Sequence, residues 1–298
     1  MNRLSVNQRA RILALLCEGT SMRATSRLTG ASINTVSKLL VDAGTACAEY
    51  HDETVRGVEA KHVQADEIWS FAHCKQKNVA DATAAPVGAG DVWTWTALDR
   101  DSKLLISYLV GGRDAGYATD FMADVAERIT GRCQLTTDGL TAYLEAVEGA
   151  FGSDIDYAQL VKMYGTVPEN AKGRYSPAVC TGARKVAVSG NPVREDICTS
   201  HVERQNLTMR MHMRRFTRLT NAFSKKVANH AHMVALYTTF YNFLKVHKAL
   251  RVTPAMEAGI DTTVRDFEWI VGLIDARAPA PKKRGPYKKR ATKSENSN

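Results

Sequence analysis

The sequence predicts an α/β protein, with a mixed sheet flanked by helices and a small all-α helix-turn-helix module in front of it. Three features of the 298-residue chain support this prediction. Short apolar repeats of helical spacing fill the first 44 residues and are separated by glycines. Strand-like segments begin at residue 62 and then alternate with helical ones, the order of a sheet with helices on its faces. Two strongly basic segments follow in the C-terminal third.

The N-terminal module consists of three predicted helices. The first runs from Val6 to Cys17; Ser21 caps the second, which Gly30 closes; and Ser32 caps the third, which ends at Gly44. A leading helix followed by two short helices around a glycine turn is the helix-turn-helix pattern, although any small three-helix bundle has the same periodicity.

In a helix-turn-helix, the third helix enters the major groove of DNA. Here its exposed side offers Asn34, Thr35, Ser37 and Lys38, which can contact base edges and phosphates. We therefore expect Asn34, Thr35 and Lys38 to bind DNA.

The remaining chain predicts the sheet and its helices. Strands are expected at His62–Phe71, Val92–Asp99, Lys103–Val110, Cys133–Thr137 and Tyr157–Met163, and helices at Tyr117–Ile129, Thr141–Ala150, Ser200–Arg215, Asn221–Val246 and Val264–Ala276. The predicted domains are a helix-turn-helix domain (1–50), a polar linker (51–61), an α/β domain (62–276) with an irregular Pro/Gly-rich insertion (165–198), and a basic disordered tail (277–298).

The distribution of charge predicts a polyanionic partner. The net charge is +9, but the segment Arg204–Met256 holds ten Lys/Arg and no acid, and the segment from Arg277 onward holds eight against one Glu. Charge runs are usually solvated faces, but a long segment without acids favours nucleic acid as the partner. The six cysteines form no CxxC pair, which disfavours a zinc ribbon or a disulfide framework. No apolar run approaches the ~18 residues of a membrane span and no signal peptide is visible, so we expect a cytoplasmic protein without a membrane partner.

Three acids stand at positions suited to phosphoryl transfer. Asp66 lies within the first predicted strand, Asp138 at the carboxyl end of a later strand, and Glu203 in the first turn of the helix that opens the acid-free segment. If they converge, their hard oxygens could hold two Mg²⁺ ions, which activate the attacking oxygen and stabilise the leaving oxygen. Asn206 and Arg210 share the helix face of Glu203 and could bind substrate phosphate.

Each acid also has a purely structural interpretation. Asp66 could be a strand-edge acid and Asp138 a cap of the next helix, while Glu203 follows Ser200 at capping-box spacing. Taken singly, these interpretations are stronger than the catalytic one. The combination of all three positions favours catalysis.

These motifs resemble those of DDE transposases of the insertion-sequence-one (InsA–InsB) family, over roughly residues 19 to 250. The similar segments are MRATSRLTGASINTVSKLL at 22–40, DEIW at 66–69, TTDGLTAY at 136–143, HVERQNLTMRMHMRRFTR at 201–218, FSKK at 223–226 and His230. The N-terminal segment is similar to the helix-turn-helix that binds the element's terminal inverted repeats in that family. A cysteine zinc finger found in many members ahead of this module has no counterpart within residues 1–18.

The resemblance implies an RNase H-like fold with Asp66, Asp138 and Glu203 as catalytic and metal-binding triad. It implies two Mg²⁺ ions, for which Mn²⁺ can substitute, and a basic helix contacting DNA. It also implies that the partner is double-stranded DNA, both the terminal inverted repeats and the target DNA. The protein would act on this DNA as a homo-oligomer. The basic residues expected at this surface are Arg210, Arg214, Lys225 and Lys226, with Asn206 beside them.

Three functions remain open at this point. The favoured one is an insertion-sequence transposase that cleaves the element's ends and then joins the freed 3′-hydroxyl to target DNA. A catalytically retired transposase, acting as a sequence-specific DNA-binding regulator, is the alternative from a non-enzyme class. A plain RNase H-like nuclease is disfavoured because such an enzyme needs no sequence-reading module.

Overall fold

The computed structural model describes residues 4–165, 180–217 and 222–278. Its centre is a six-stranded mixed sheet of order β3-β2-β1-β4-β5-β6. The strands are β1 (His62–Ala72), β2 (Gly90–Asp99), β3 (Leu105–Gly111), β4 (Cys133–Asp138), β5 (Ile155–Tyr164) and β6 (Cys180–Ser189). Strands β1, β2 and β3 pair antiparallel, β4 and β5 run parallel to β1, and β6 returns antiparallel at the edge. This is the RNase H-like arrangement, so the predicted fold class is confirmed.

Helices cover both faces of the sheet. They are α1 (Val6–Cys17), α2 (Met22–Thr29), α3 (Ile33–Thr54), α4 (Ala115–Arg128), α5 (Ala142–Phe151), α6 (Ser200–His212), α7 (Val227–Thr239), α8 (Pro254–Glu257) and α9 (Phe267–Arg277). One buried core joins α4 and α5 to the sheet through Trp95, Leu135 and Tyr157. The other joins α1, α3, α6, α7 and α9 to the opposite face through Ile68 and Leu98. No helix in the described part of the chain is long and apolar enough to span a membrane.

The second and third N-terminal helices begin at the serines predicted to cap them, and Ser5 caps the first in the same way. The hydroxyls of Ser5, Ser21 and Ser32 accept hydrogen bonds from the backbone of the first turn of α1, α2 and α3. Gly30 ends α2 in the left-handed conformation, at φ 71°. The predicted all-α module at the N-terminus is therefore present.

The third helix is longer than predicted, because Gly44 does not end it. The helix continues to Thr54, across the predicted domain boundary and into the predicted linker. A Cβ on Gly44 would lie 2.4 Å from the Cβ of His232, so this glycine allows α3 and α7 to cross in close contact. The division of the chain into a DNA-binding and a catalytic domain stays a prediction.

The predicted irregular insertion is wrong in one part. Residues 180–189 form strand β6, which extends the sheet beyond β5. The side chains of β6 are exposed or half-buried on both faces, so the strand lacks the apolar alternation that marks strands in sequence. Residues 166–179 and the predicted tail from residue 279 lie outside the described residues.

The C-terminal helices begin and end within a few residues of their predicted bounds, with one exception. Instead of one helix to Val246, α7 ends at Thr239 and passes into a π-helical turn at Phe240–Leu244. In that turn, the Asn242 side chain accepts a hydrogen bond from the Leu105 amide (3.0 Å) and donates one to the Leu105 carbonyl (2.9 Å). The turn thereby anchors the end of α7 to strand β3.

Candidate active site

Three acids come together where strands β1 and β4 stop pairing. The two strands pair from His62 to Gln64 of β1, and the acids follow just beyond this point on both strands. Asp66, Glu67 and Asp138 each place a carboxylate oxygen there, and these oxygens lie within 4.8 Å of one another. We call this group the acid cluster. It contains two of the three predicted catalytic residues.

Asp66 is the most perturbed member of the acid cluster. Burial, together with the negative charges of Glu67 and Asp138, raises the pKa of Asp66 to about 7. The Asn206 side-chain amide donates to Asp66 Oδ2 at 2.8 Å, and the Thr96 hydroxyl donates to Asn206 Oδ1 at 3.2 Å. A short hydrogen-bonded chain from β2 through α6 therefore fixes the orientation of the Asp66 carboxylate.

Asn206 lies inside the site and not on the surface of α6. It is only 5% exposed, and both ends of its side-chain amide are engaged, with Asp66 and Thr96. Its predicted contact with DNA phosphate stays a prediction.

Glu67 is the acid that sequence reasoning missed. Adjacent residues of a strand point to opposite faces, so a site residue at Asp66 predicts that Glu67 lies elsewhere. Glu67 is buried, accepts from Arg113 Nε at 2.7 Å and from the Tyr143 hydroxyl at 3.0 Å. Burial and the charge of Asp138 raise the Glu67 pKa, although Arg113 opposes this shift. The signal that could have found it is the second acid of the DEIW motif.

Asp138 ends β4 at the acid cluster. Its Oδ1 accepts from the Leu140 amide at 2.9 Å, which stabilises the turn at Gly139. The following helix α5 is not capped by Asp138, because its N-cap residue is Thr141. The structural interpretation of Asp138 as a helix cap is therefore wrong, while its turn contact leaves the carboxylate directed at the cluster.

Glu203 lies near the acid cluster but outside it. It occupies the first turn of α6, whose amide groups at His201 and Val202 donate to Gln64 Oε1 of β1 at 3.0 and 3.1 Å. Gln64 thereby anchors the start of α6 to the sheet. Glu203 Oε1 binds Lys162 Nζ at 2.6 Å and accepts from the Thr199 hydroxyl, so the suggested capping box with Ser200 is not formed.

The predicted DNA-binding residues of the N-terminal module lie on the first turns of α3. Asn34, Thr35 and Lys38 are exposed, and Lys38 pairs with Asp42 at 2.7 Å. They line a groove of about 830 Å³ between α3 and α9. Exposure on this face is compatible with DNA contact, which stays a prediction.

Three of the four basic residues near α6 and α7 that are predicted to contact DNA are exposed. Arg214, Lys225 and Lys226 are exposed, whereas Arg210 is half-buried. Their predicted contact with DNA likewise stays a prediction.

The acid cluster fits a divalent metal ion by the chemistry of its donors. Three carboxylates at short range repel one another, and this repulsion adds to the effect of burial in raising the pKa of Asp66; a divalent cation relieves the repulsion. Carboxylate oxygens are the ligands that Mg²⁺ and Mn²⁺ prefer. Asp66, Glu67 and Asp138 are thus placed to hold such an ion.

Comparison with known proteins gives a family for part of the chain. Residues 183–244, about a fifth of the chain, match the model of the family described as IS1 transposase. The resemblance predicted from the sequence is confirmed. The segment that matches this IS1 transposase model comprises most of β6, all of α6 with Glu203, and α7. No curated protein sequence matches the chain.

Solved structures of transposase complexes are distantly similar to the chain. A piggyBac transposase synaptic complex with hairpin DNA shows 12% identity and a TM-score of 0.33, covering 75% of this chain and 55% of that one. The pre-cleavage Mos1 transpososome shows 12% identity and a TM-score of 0.21, with 53% and 60% coverage. The Mos1 strand transfer complex shows 12% identity and a TM-score of 0.23, with 82% and 81% coverage. The chain spans about half the length of the piggyBac chain. The fold assignment rests on the sheet order described above.

Proposed function

We propose that this protein is an insertion-sequence transposase that binds the element's terminal inverted repeats, cleaves DNA there and transfers the strand to target DNA. The observation that carries the proposal is the acid cluster, in which three carboxylates with oxygens within 4.8 Å of one another lie at the end of two central strands. Sites of this kind bind metal and act on phosphates. The IS1 transposase match over residues 183–244 supports the same conclusion.

In this proposal Asp66 and Asp138 hold divalent cations, Mg²⁺ or Mn²⁺, and Glu203 completes a site for two ions. Bound in this way, the ions would supply Lewis acidity for the attacking and leaving oxygens of an in-line displacement. Asn206 keeps the Asp66 carboxylate oriented, and Arg113 balances the charge of Glu67. These contacts prepare the site before substrate binds.

The DNA would be held by two other parts of the chain. Asn34, Thr35 and Lys38 on α3 would read the terminal repeat, with residues 1–50 acting as the recognition domain and residues 62–276 as the catalytic domain. Arg210, Arg214, Lys225 and Lys226 would contact phosphates near the acids. Two ends must be brought together, which favours a homo-oligomer on DNA.

The alternative function is a retired transposase that binds DNA and no longer cuts. The acid cluster disfavours it, because like charges held close together lower folding stability and a pure DNA-binding protein gains nothing from them. A regulator would be expected to have replaced at least one of these acids.

Cleavage of a labelled duplex carrying the DNA that flanks the element's own gene tests the proposal. With Mg²⁺, the wild-type protein should nick at the repeat end, and Asp138→Asn should lose at least 1,000-fold in rate while binding the duplex as tightly. A matched control is Asp120→Asn, which changes an exposed acid of α4 in the same way. Tight binding by wild type without any nicking would leave the retired transposase as the better description.

A further inference from the structure

Lys162 on strand β5 is a cation placed directly at the proposed metal site. Its Nζ lies 2.6 Å from Glu203 Oε1, the oxygen that also accepts from the Thr199 hydroxyl. The side chains of Lys162 and Glu203 are 32% and 39% exposed, so the pair lies at the rim of the site. Glu203 therefore already has a positively charged partner.

Lys162 also interacts with the acid cluster. Partial burial lowers the pKa of Lys162, but the hydrogen bond and charge of Glu203, with contributions from Tyr164 and Asp66, raise it more. The ammonium is thus bound to Glu203, one of the three carboxylates that the proposed triad would use.

We propose that Lys162 and a divalent cation compete for Glu203, so that the ion binds Glu203 only when the ammonium leaves. This inference rests on the proposed function, and it makes Lys162 a positioning residue that sets the ion concentration at which Glu203 joins the site.

The exchange follows from elementary electrostatics. An ammonium and a divalent ion on the same carboxylate oxygen would lie within a few ångströms of each other and repel strongly. The lysine can move because its four-carbon stem is flexible and its end is partly solvated. The strand acids cannot move in this way, because they lie on a paired and mostly buried strand.

Binding of Mn²⁺ to the full-length protein without DNA tests the proposal, with free Mn²⁺ followed by its electron paramagnetic resonance signal. Lys162→Met should bind the second, weaker Mn²⁺ ion, the one that uses Glu203, about tenfold more tightly, since it removes one competing charge at short range. Lys162→Arg keeps the charge and should stay within about twofold of wild type. Lys185→Met is the matched control, because this lysine lies on the neighbouring strand and donates to the Arg194 carbonyl at 2.7 Å.

A double-mutant cycle with Glu203→Gln shows whether Lys162 acts by occupying Glu203 or only by adding positive charge near the site. In the Glu203→Gln background, Lys162→Met should no longer change Mn²⁺ affinity. Unchanged affinity in the single variant, or a gain that persists with Glu203→Gln, overturns the proposal. Lys162→Gln gives the same comparison if the methionine variant does not fold.

The result is independent of whether the protein is a transposase. A tenfold gain in Mn²⁺ affinity without any DNA cleavage by wild type would support the exchange and reject the proposed function. Cleavage by wild type with no change of affinity in Lys162→Met would reject the exchange alone.

Discussion

Asp66 and Glu67 lie on the central strand β1, where backbone pairing fixes them, whereas Glu203 lies on the first turn of α6 at the rim. The carboxylate oxygens of Asp66, Glu67 and Asp138 lie within 4.8 Å of one another, and among the described contacts of this cluster Arg113 pairs with Glu67. The helix acid is held by a lysine and a hydroxyl. The acid cluster therefore has less positive charge beside it than Glu203 has.

This difference predicts opposite responses to a cation. At the acid cluster, a bound cation relieves repulsion that already exists, so binding there is favoured by the fold itself. At Glu203, a bound cation must replace an existing ion pair, which lowers the net gain. The acid cluster should therefore bind first and more tightly, and Glu203 second.

The largest expected effect on DNA cleavage distinguishes Glu203 from Glu67 as the third metal ligand beside Asp66 and Asp138. Glu203→Gln should slow DNA cleavage about 1,000-fold, the loss expected for a ligand that stabilises charge in the transition state. Glu67→Gln should slow it about 10- to 100-fold, as for a residue that supports the ligands. Single-turnover rates at saturating Mg²⁺ measure both. Equal losses, or a larger loss for Glu67→Gln, would make Glu67 the third ligand and break the contrast between strand and helix acids.

Local patterns explain why most of the fold was predictable. The first turns of α1, α2 and α3 are capped by serines, and strands β1 to β5 are marked by apolar alternation between polar turns. Asp66 and Asp138 could be predicted because each occupies a defined place on such a strand. Each of these signals depends only on residues that are close to one another in the sequence.

The features that were missed depend on contacts between distant segments. Gly44 has the appearance of a helix stop, and only its contact with His232 of α7 shows why the helix continues. Strand β6 has no buried face, so its residues carry no alternation. Glu67 is held in the site by Arg113 and Tyr143, which lie 46 and 76 residues away in sequence, and Lys162 meets Glu203 across 41 residues.

The second prediction concerns stability as a function of pH. The pKa of Asp66 is raised to about 7 in the folded protein, so the folded state holds this proton more tightly than the unfolded chain. The stability that goes with this proton is present below about pH 4 and is lost as pH rises through about 7. The Asp66→Asn variant cannot ionise at this position, so it does not lose stability as pH rises. The amide oxygen that it introduces can still accept the hydrogen bond from Asn206. The variant should therefore gain about 2 kcal/mol relative to wild type at pH 8 and much less at pH 4.

Urea unfolding with EDTA at both pH values measures this gain, and Asp120→Asn is the control for an exposed acid. Adding Mn²⁺ at pH 8 should stabilise wild type and have a smaller effect on Asp66→Asn. A gain of the same size at pH 4 and pH 8 would mean that the ionisation of Asp66 is not its source.

The smallest expected effect is on the free energy of unfolding, when one hydrogen bond to Glu203 is removed. Thr199 is buried and its hydroxyl donates to Glu203, so Thr199→Val removes one hydrogen bond at nearly constant shape. The expected cost is about 1 kcal/mol in the free energy of unfolding, measured with urea at pH 7. Thr208→Val on the same helix is the matched control, because its hydroxyl donates only to the Arg204 carbonyl within the described contacts. Since Lys162 would remain on Glu203, Mn²⁺ affinity should change less than with Lys162→Met. A larger change with Thr199→Val would mean that the hydroxyl, and not the ammonium, keeps Glu203 out of the acid cluster.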